Sequence, residues 1–281
     1  VTDPAEQRAA MRERWEEAAA GWSARREEFQ TALEPVSRWL VDAIDPQPGQ
    51  TVLELAAGLG DTGFLAAQRV GPDGRLISTD GAEAMVEAAK AHGAQLGITN
   101  AEFKAMELEW IDQEAASVDG VLCRFGYMLC VDPEAALRET RRVLRPGGRV
   151  ALAVWDEPRH NPTFAMGSVL AELGLAEPGD PSAPGPFALA DRERLVELVA
   201  SAGLVDVRVE AVDVVYRAAS LDEVWEQQRD LSPTARRIVP TLSPADHTRL
   251  RDALDERWSA WVQSDGSVAL PGRALCAAAD A

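Results

Sequence analysis

The chain has 281 residues, enough to bury one full core and carry an appended subdomain. Its formal charge of −18 argues against a nucleic-acid partner, because such affinity rests on Lys and Arg neutralising phosphates. No apolar run approaches a membrane span, and residues 1–14 are polar and lack the apolar centre of a secretory signal. Cys123, Cys130 and Cys276 form no CxxC pair, so a cytoplasmic protein without a disulfide framework or metal site is expected.

Residues 4–45 read as helix, rich in Ala, Glu and Arg, with Trp15, Trp22, Phe29, Leu33, Trp39 and Leu40 as apolar anchors. Pro46, Pro48 and Gly49 end it. Short β-type runs then alternate with helical stretches: strands at 51–55, 75–79, 101–105, 118–123 and 149–155, helices near 61–70, 82–97 and 132–144. Residues 156–188, with Pro158, Pro162, Pro181, Pro184 and Pro186, look irregular. A helix at 191–202 and an alternating strand at 205–216 follow. The stretch 220–263 is helical from a Ser220 N-cap, and 267–278 returns as a strand. Strands separated by helices imply βαβ crossovers. The expected fold is α/β: a doubly wound, seven-stranded, mostly parallel sheet with a helical cap from the N-terminus and the 220–263 segment. Its divisions are a cap at 1–45, a core at 46–217, a helical insertion at 218–266 and a final strand at 267–281.

The segment VLELAAGLGDTG at 52–63 joins a strand to a helix, the context in which a Gly-rich turn means ligand binding. Gly58 and Gly60 let the backbone turn tightly, at the carboxyl ends of the strands where cofactors bind. Gly58, Gly60 and Gly63 also match GxGxxG, so a nicotinamide-dependent oxidoreductase stands as an alternative. Glu54 and Asp61 flank the turn and suit a cationic ligand with an ammonium and a sulfonium better than a pyrophosphate. Asp80, ending the second strand, can accept ribose hydroxyls or cap the next helix.

Together these residues resemble the class I S-adenosylmethionine-dependent methyltransferases, closest to the branch with the ubiquinone and menaquinone C-methyltransferases. The turn is similar to that family's VLDLGCGTGD, with Ala56 at its first glycine and Glu54 at its usual Asp. FKAMELEW at 103–110 resembles the family's adenine-binding segment, with Glu107 and Leu108 in place of Asp and Ala, in register with Val118-Asp119. The 132–150 string, DPEAALRETRRVLRPGGRV, is similar to the family's DPxxALxExxRVLxPGG.

The resemblance implies a Rossmann-like methyltransferase fold and S-adenosyl-L-methionine as donor, with S-adenosyl-L-homocysteine as product. It implies a donor site of Glu54, Ala56, Gly58, Gly60, Asp61, Asp80, Gly81, Met85, Glu107 and Leu108. Trp110 offers a plane to adenine or to the core, and Arg124 faces the methionine carboxylate or a structural one. Trp22 resembles the aromatic that closes over the donor in relatives, or packs its helix. His160, after the fifth strand, is the candidate general base if it is not simply solvated; Asp156 and Tyr127 are further candidates. His92 is expected on a solvated helix face. Trp15, Trp22, Trp225, Trp258 and Trp261, with Met128 and Met166, line either an acceptor pocket or the cap's core. A small, aromatic or apolar acceptor and a monomer or homodimer are expected. A non-catalytic donor-binding protein is the remaining alternative.

Overall fold

The computed structural model describes residues 3–180 and 183–281. Val1 and Thr2 of the expected cap, and Pro181 of the expected irregular stretch, lie outside the described residues. The N-terminal stretch forms two helices, α1 (Pro4–Ala24) and α2 (Arg26–Ile44), separated at Arg25. The alternating region follows as β1 (Thr51–Leu55), α3 (Asp61–Val70), β2 (Arg75–Asp80), α4 (Glu83–Gln95), β3 (Ala101–Ala105), β4 (Val118–Arg124), α5 (Pro133–Val143) and β5 (Leu144–Trp155). Then come α6 (Ala165–Glu172), α7 (Arg192–Ser201), β6 (Val205–Ala218), α8 (Leu221–Leu231), α9 (Pro233–Ile238), α10 (Pro244–Trp258) and β7 (Val268–Asp280).

The sheet is seven-stranded in the order β3-β2-β1-β4-β5-β7-β6. Its pairs are parallel from β3 through β5, and β7 runs antiparallel to both β5 and β6. This is the doubly wound, mostly parallel fold that the alternation of strands and helices requires. Val52, Leu53 and Leu55 of β1 are completely buried, as a central parallel strand covered by helices on both faces must be. The order reverses between β1 and β4, so the crevice at their carboxyl ends is the ligand position of such sheets.

Local chemistry sets the helix starts. Asp132 accepts from Ala135 N at 2.8 Å ahead of Pro133, and Ser220 accepts from Glu223 N at 3.2 Å. Three boundaries differ from expectation. The 156–188 stretch contains α6, whose Met166, Val169 and Leu170 are buried, because core packing overrides the proline-rich flanks. The fifth strand begins at Leu144, not at Arg149: Leu144 already pairs with Val118. The 220–263 stretch is three α-helices with short 3-10 turns, broken at Ser232 and Pro240 by proline and serine caps. These helices lie between β6 and β7 in the chain. Among the described residues no helix is long and apolar enough to cross a membrane.

Candidate donor and acceptor site

The turn after β1 is held in left-handed backbone geometry at Ala56 (φ 48°), Gly58 (φ 54°) and Gly60 (φ 82°). Ala56 carries a Cβ in a conformation that ordinarily disfavours one, a local strain at the mouth of the crevice. Asp80 ties the turn to β2: its Oδ2 accepts from Gly58 N at 2.9 Å and its Oδ1 from Ala82 N at 3.0 Å. The glycines have different reasons to be there. A Cβ on Gly58 would meet nothing within 4 Å, so its outer face is open. A Cβ on Gly60 would strike the Phe64 ring, 2.9 Å from Cε2.

Gly63 has a third reason, and it relocates Glu54. The Glu54 side chain is buried beneath the turn, accepting from Gly63 N at 2.7 Å and Ser78 Oγ at 3.0 Å. A Cβ on Gly63 would lie 2.7 Å from Glu54 Cδ. Burial pushes the Glu54 carboxyl up to about 7, against the pull of those two hydrogen bonds. Glu54 is therefore not on the wall of the crevice; it braces α3 against β1 and β2 from behind. Asp61 is off the wall too, ion-paired with Arg26 of α2. The acidic pair beside the turn thus answers protein groups as well as any ligand charge.

The crevice is a cavity of about 380 Å³. Ala56, Gly58, Asp80, Gly81, Met85, Glu107 and Leu108 all lie on its wall, contributed by the ends of β1, β2 and β3 and, for Met85, by α4. Asp80 is pushed up to about 6, first by burial and then by the neighbouring Glu107 and Glu16 carboxylates. Helix α1 covers this end. Its Arg12 Nη1 meets Glu107 Oε1 at 3.0 Å, Arg8 pairs with Glu109, and Glu16 accepts from Glu83 N at 2.6 Å and Ala84 N at 2.9 Å. Glu16 supplies the N-terminal cap that α4 does not provide for itself. Trp110 leaves the site altogether: it is 59% exposed, with the Arg8 guanidinium 4.6 Å above its ring.

Arg124, at the end of β4, is deeply set and reaches the cavity, with Nη1 donating to Gln30 Oε1 at 3.0 Å and Ser37 Oγ at 2.7 Å. Burial lowers its pKa from the ordinary guanidinium range, while Asp61 and Glu54 pull the other way. Trp22 is on the wall, and its buried Nε1 has no hydrogen-bond partner among the described residues. Ring contacts then run from Trp15 to Trp22 (5.7 Å), Trp22 to Phe29 (4.9 Å), Phe29 to Tyr216 (5.7 Å) and Tyr216 to Trp155 (6.4 Å). Phe125 stacks on Trp155 at 4.0 Å. Phe29, Phe125, Trp155, Phe164 and Tyr216 were not among the expected site residues; the seven-residue spacing of Trp15, Trp22 and Phe29, one face of a helix, was the available signal for the first.

Other candidates are drawn elsewhere. His160 does not reach the cavity wall; its Nδ1 faces Asp156 Oδ2 at 2.8 Å and its Nε2 receives Arg159 Nε at 3.3 Å, so neither nitrogen is free for an acceptor proton. Tyr127 is fully buried against Thr140. His92 is buried, not solvated, with Nδ1 3.0 Å from Leu59 O. Trp225 and Trp258 are buried and off the cavity, with Trp258 Nε1 donating to Pro162 O at 3.0 Å, and Trp261 is off it as well. Met128 and Met166 do line it.

A mostly parallel sheet with a Gly turn, a carboxylate ending β2 and a second one after β3 is the frame of a nucleoside-binding α/β protein. Residues 46–173 match a family described as a methyltransferase domain. The nocamycin O-methyltransferase of Saccharothrix syringae is 32% identical over 208 residues, 73% of this chain and 72% of that protein. A ubiquinone/menaquinone biosynthesis C-methyltransferase of Enterobacter sp. (strain 638) is 31% identical over 122 residues, 43% of this chain and 49% of that one. An arsenite methyltransferase of Halobacterium salinarum is 40% identical over 106 residues, 38% of this chain and only 27% of that protein. In fold, the crystal structure of a SAM-dependent methyltransferase from Aquifex aeolicus superposes with a TM-score of 0.51 at 20% identity, over 76% of this chain and 94% of that one. The chain belongs to the S-adenosylmethionine-dependent methyltransferases.

Proposed function

We propose that this chain moves a methyl group from S-adenosylmethionine to a small organic acceptor, chiefly by holding the two in line within one cavity. The observation that carries the reading is continuity: a single wall runs from Gly58 and Asp80 to Trp155 and Tyr216. Its volume of about 380 Å³ falls in the range of small-ligand sites. The name of the nocamycin O-methyltransferase also supports a small acceptor, and the charge of −18 disfavours a nucleic acid.

The residues present fit the donor. Asp80 keeps lone pairs for ribose hydroxyls beyond the two backbone groups it accepts. Gly81 and Met85 lie alongside, while Glu107 and the Leu108 backbone suit the adenine edge. Ala56 and the open face of Gly58 admit the methionine chain. Arg124 keeps donors for a carboxylate after Gln30 and Ser37 are served. Trp22 covers the donor from α1. Glu54, Gly60 and Asp61 support the turn from behind, and Trp110 and His160 have no part. When bound, the donor supplies a methyl carbon activated by a sulfonium; the protein's share is orientation.

Calorimetry with S-adenosylhomocysteine tests the donor half. Binding is expected for the native chain, and Asp80→Ala should weaken it by about 1–3 kcal/mol through loss of charged hydrogen bonds. No heat with the native chain would end the reading. A labelled-methyl screen against quinones, phenols and amines tests turnover, and donor binding with no transfer to any of them would leave a non-catalytic binding protein.

A further inference from the structure

The far half of the cavity narrows the acceptor to a chemical class. Its polar side chains are Gln30, Thr163, Tyr216, Gln228, Ser232 and Thr234, all uncharged. The carboxylates on the wall, Asp80, Glu107 and Glu109, stand at the ends of β2 and β3, on the opposite side of the switch point. The cations Arg8, Arg12 and Arg14 belong to α1, which leaves Arg124 as the charge facing both halves. With Arg124 answered by the donor's carboxylate, an ammonium group entering there would meet the donor's sulfonium with no protein carboxylate on this half beside it. An anion meets that sulfonium as a favourable charge.

No group on this half can act as a base at neutral pH among the described residues. The Cys130 thiol is pushed well above its ordinary value by burial, and burial raises the Tyr216 hydroxyl as well. An acceptor that arrives with its proton already gone needs no such base. Tyr216 supplies the second observation. It is buried on the wall between Phe29 and Trp155, and its hydroxyl has no hydrogen-bond partner among the described residues. A ligand oxygen that accepts from it would satisfy this buried hydroxyl. Around it, Phe125, Trp155 and Phe164 form an aromatic cluster on the wall, an apolar surround suited to a conjugated ring.

We infer that the acceptor is a flat conjugated oxygen acid, an enolised dicarbonyl or hydroxyquinone ionised in neutral water, and that Tyr216 donates its hydroxyl hydrogen to the oxygen conjugated with the reacting one. This rests on the donor reading above. The proton leaves to water when the acid ionises outside the protein. In the cavity a lone pair of the acceptor oxygen forms the new O–C bond, while the carbon–sulfur bond breaks with its pair retained by sulfur. The products are a methyl ether and S-adenosylhomocysteine, and no further reactant is needed.

Three probes of the same two-ring skeleton test it on the full chain with labelled S-adenosylmethionine: 2-hydroxy-1,4-naphthoquinone, 1-naphthol and 1-naphthylmethylamine. The hydroxyquinone is expected to be methylated with a kcat/KM at least about tenfold above the other two. Tyr216→Phe should lower that value about 10- to 100-fold and leave S-adenosylhomocysteine affinity unchanged, which also certifies that the variant is folded. Preference for the amine, or an unchanged rate in Tyr216→Phe, overturns the inference. If no probe turns over, calorimetry of each probe with S-adenosylhomocysteine present decides. Tighter binding of the hydroxyquinone supports it; tighter binding of the amine, or binding of none, overturns it. Absence of S-adenosylhomocysteine binding instead overturns the donor reading itself, so the two failures are separable.

Discussion

Replacing Gly63 by alanine sets two effects against each other. Gly63 sits in the first turn of α3, where alanine is the better helix former by about 1 kcal/mol. On helix propensity alone the variant gains stability. The structure demands the opposite, because the new methyl would lie 2.7 Å from Glu54 Cδ and 3.1 Å from Leu76 Cδ1. Relief requires Glu54 to move, which breaks its bonds from Gly63 N (2.7 Å) and Ser78 Oγ (3.0 Å) in a buried site. Each of the two unsatisfied groups costs about 1–3 kcal/mol, so after the helix gain the variant is expected to lose roughly 1–5 kcal/mol. Urea unfolding followed by tryptophan fluorescence should show a midpoint lowered by roughly 0.5–2.5 M at an m-value of about 2 kcal/mol/M. The second arm is the same substitution in a Glu54→Ala background. There the methyl has room, and Gly63→Ala should cost at least about 1.5 kcal/mol less than in the native chain. A Gly63→Ala protein as stable as the native one, or equal costs in both backgrounds, would refute the role assigned to the Gly63–Glu54 contact.

Glu54 also predicts a pH dependence. Its folded-state pKa of about 7 lies above its ordinary 4.5, so the folded protein holds this proton more tightly than the unfolded chain. The resulting stability is full below pH ~4.5 and is lost as pH rises through about 7, a total of about 3 kcal/mol. Glu54→Gln removes the titration, so melting temperatures of native and variant proteins should diverge between pH 4.5 and 8, with the native falling further. Parallel curves would exclude it. His160→Gln should leave kcat and kcat/KM within about twofold, since both ring nitrogens are engaged away from the cavity; a loss of a hundredfold would restore it as the base.

The order of elements was legible because a parallel sheet imposes it: each buried run between helices had one place to go. Asp80, Glu107 and Leu108 were legible for the same reason, each ending a strand or following one at a fixed offset. Glu54 shows the limit. Adjacency along the chain put it beside the ligand, but successive side chains of a strand point to opposite faces, and its face is the one under α3. Trp110 misled for a related reason: an aromatic close in sequence to Glu107 is drawn outward by Arg8, 102 positions upstream. Phe164 and Tyr216 come to the cavity from segments that share no motif, through tertiary packing that no local pattern carries.

Helix α1 has a different standing from the other walls. It buries only Ala18 and Ala19, whereas α2 buries Leu33, Val36, Leu40, Val41 and Ile44. What fastens α1 over the crevice is the packing of Trp15 and Trp22 on Leu59, Ala82 and Met85 together with polar ties from Arg8, Arg12 and Glu16, of which the exposed Arg12–Glu107 pair contributes little in water. The break at Arg25 separates this lightly held helix from the firmly seated one. Detaching α1 disturbs no strand and uncovers a small apolar patch, Trp15 and Trp22 with Leu59, Ala82 and Met85, so it is the cheapest exit for a spent nucleoside. Salt, which weakens just such ties, acts on the door and not on the house.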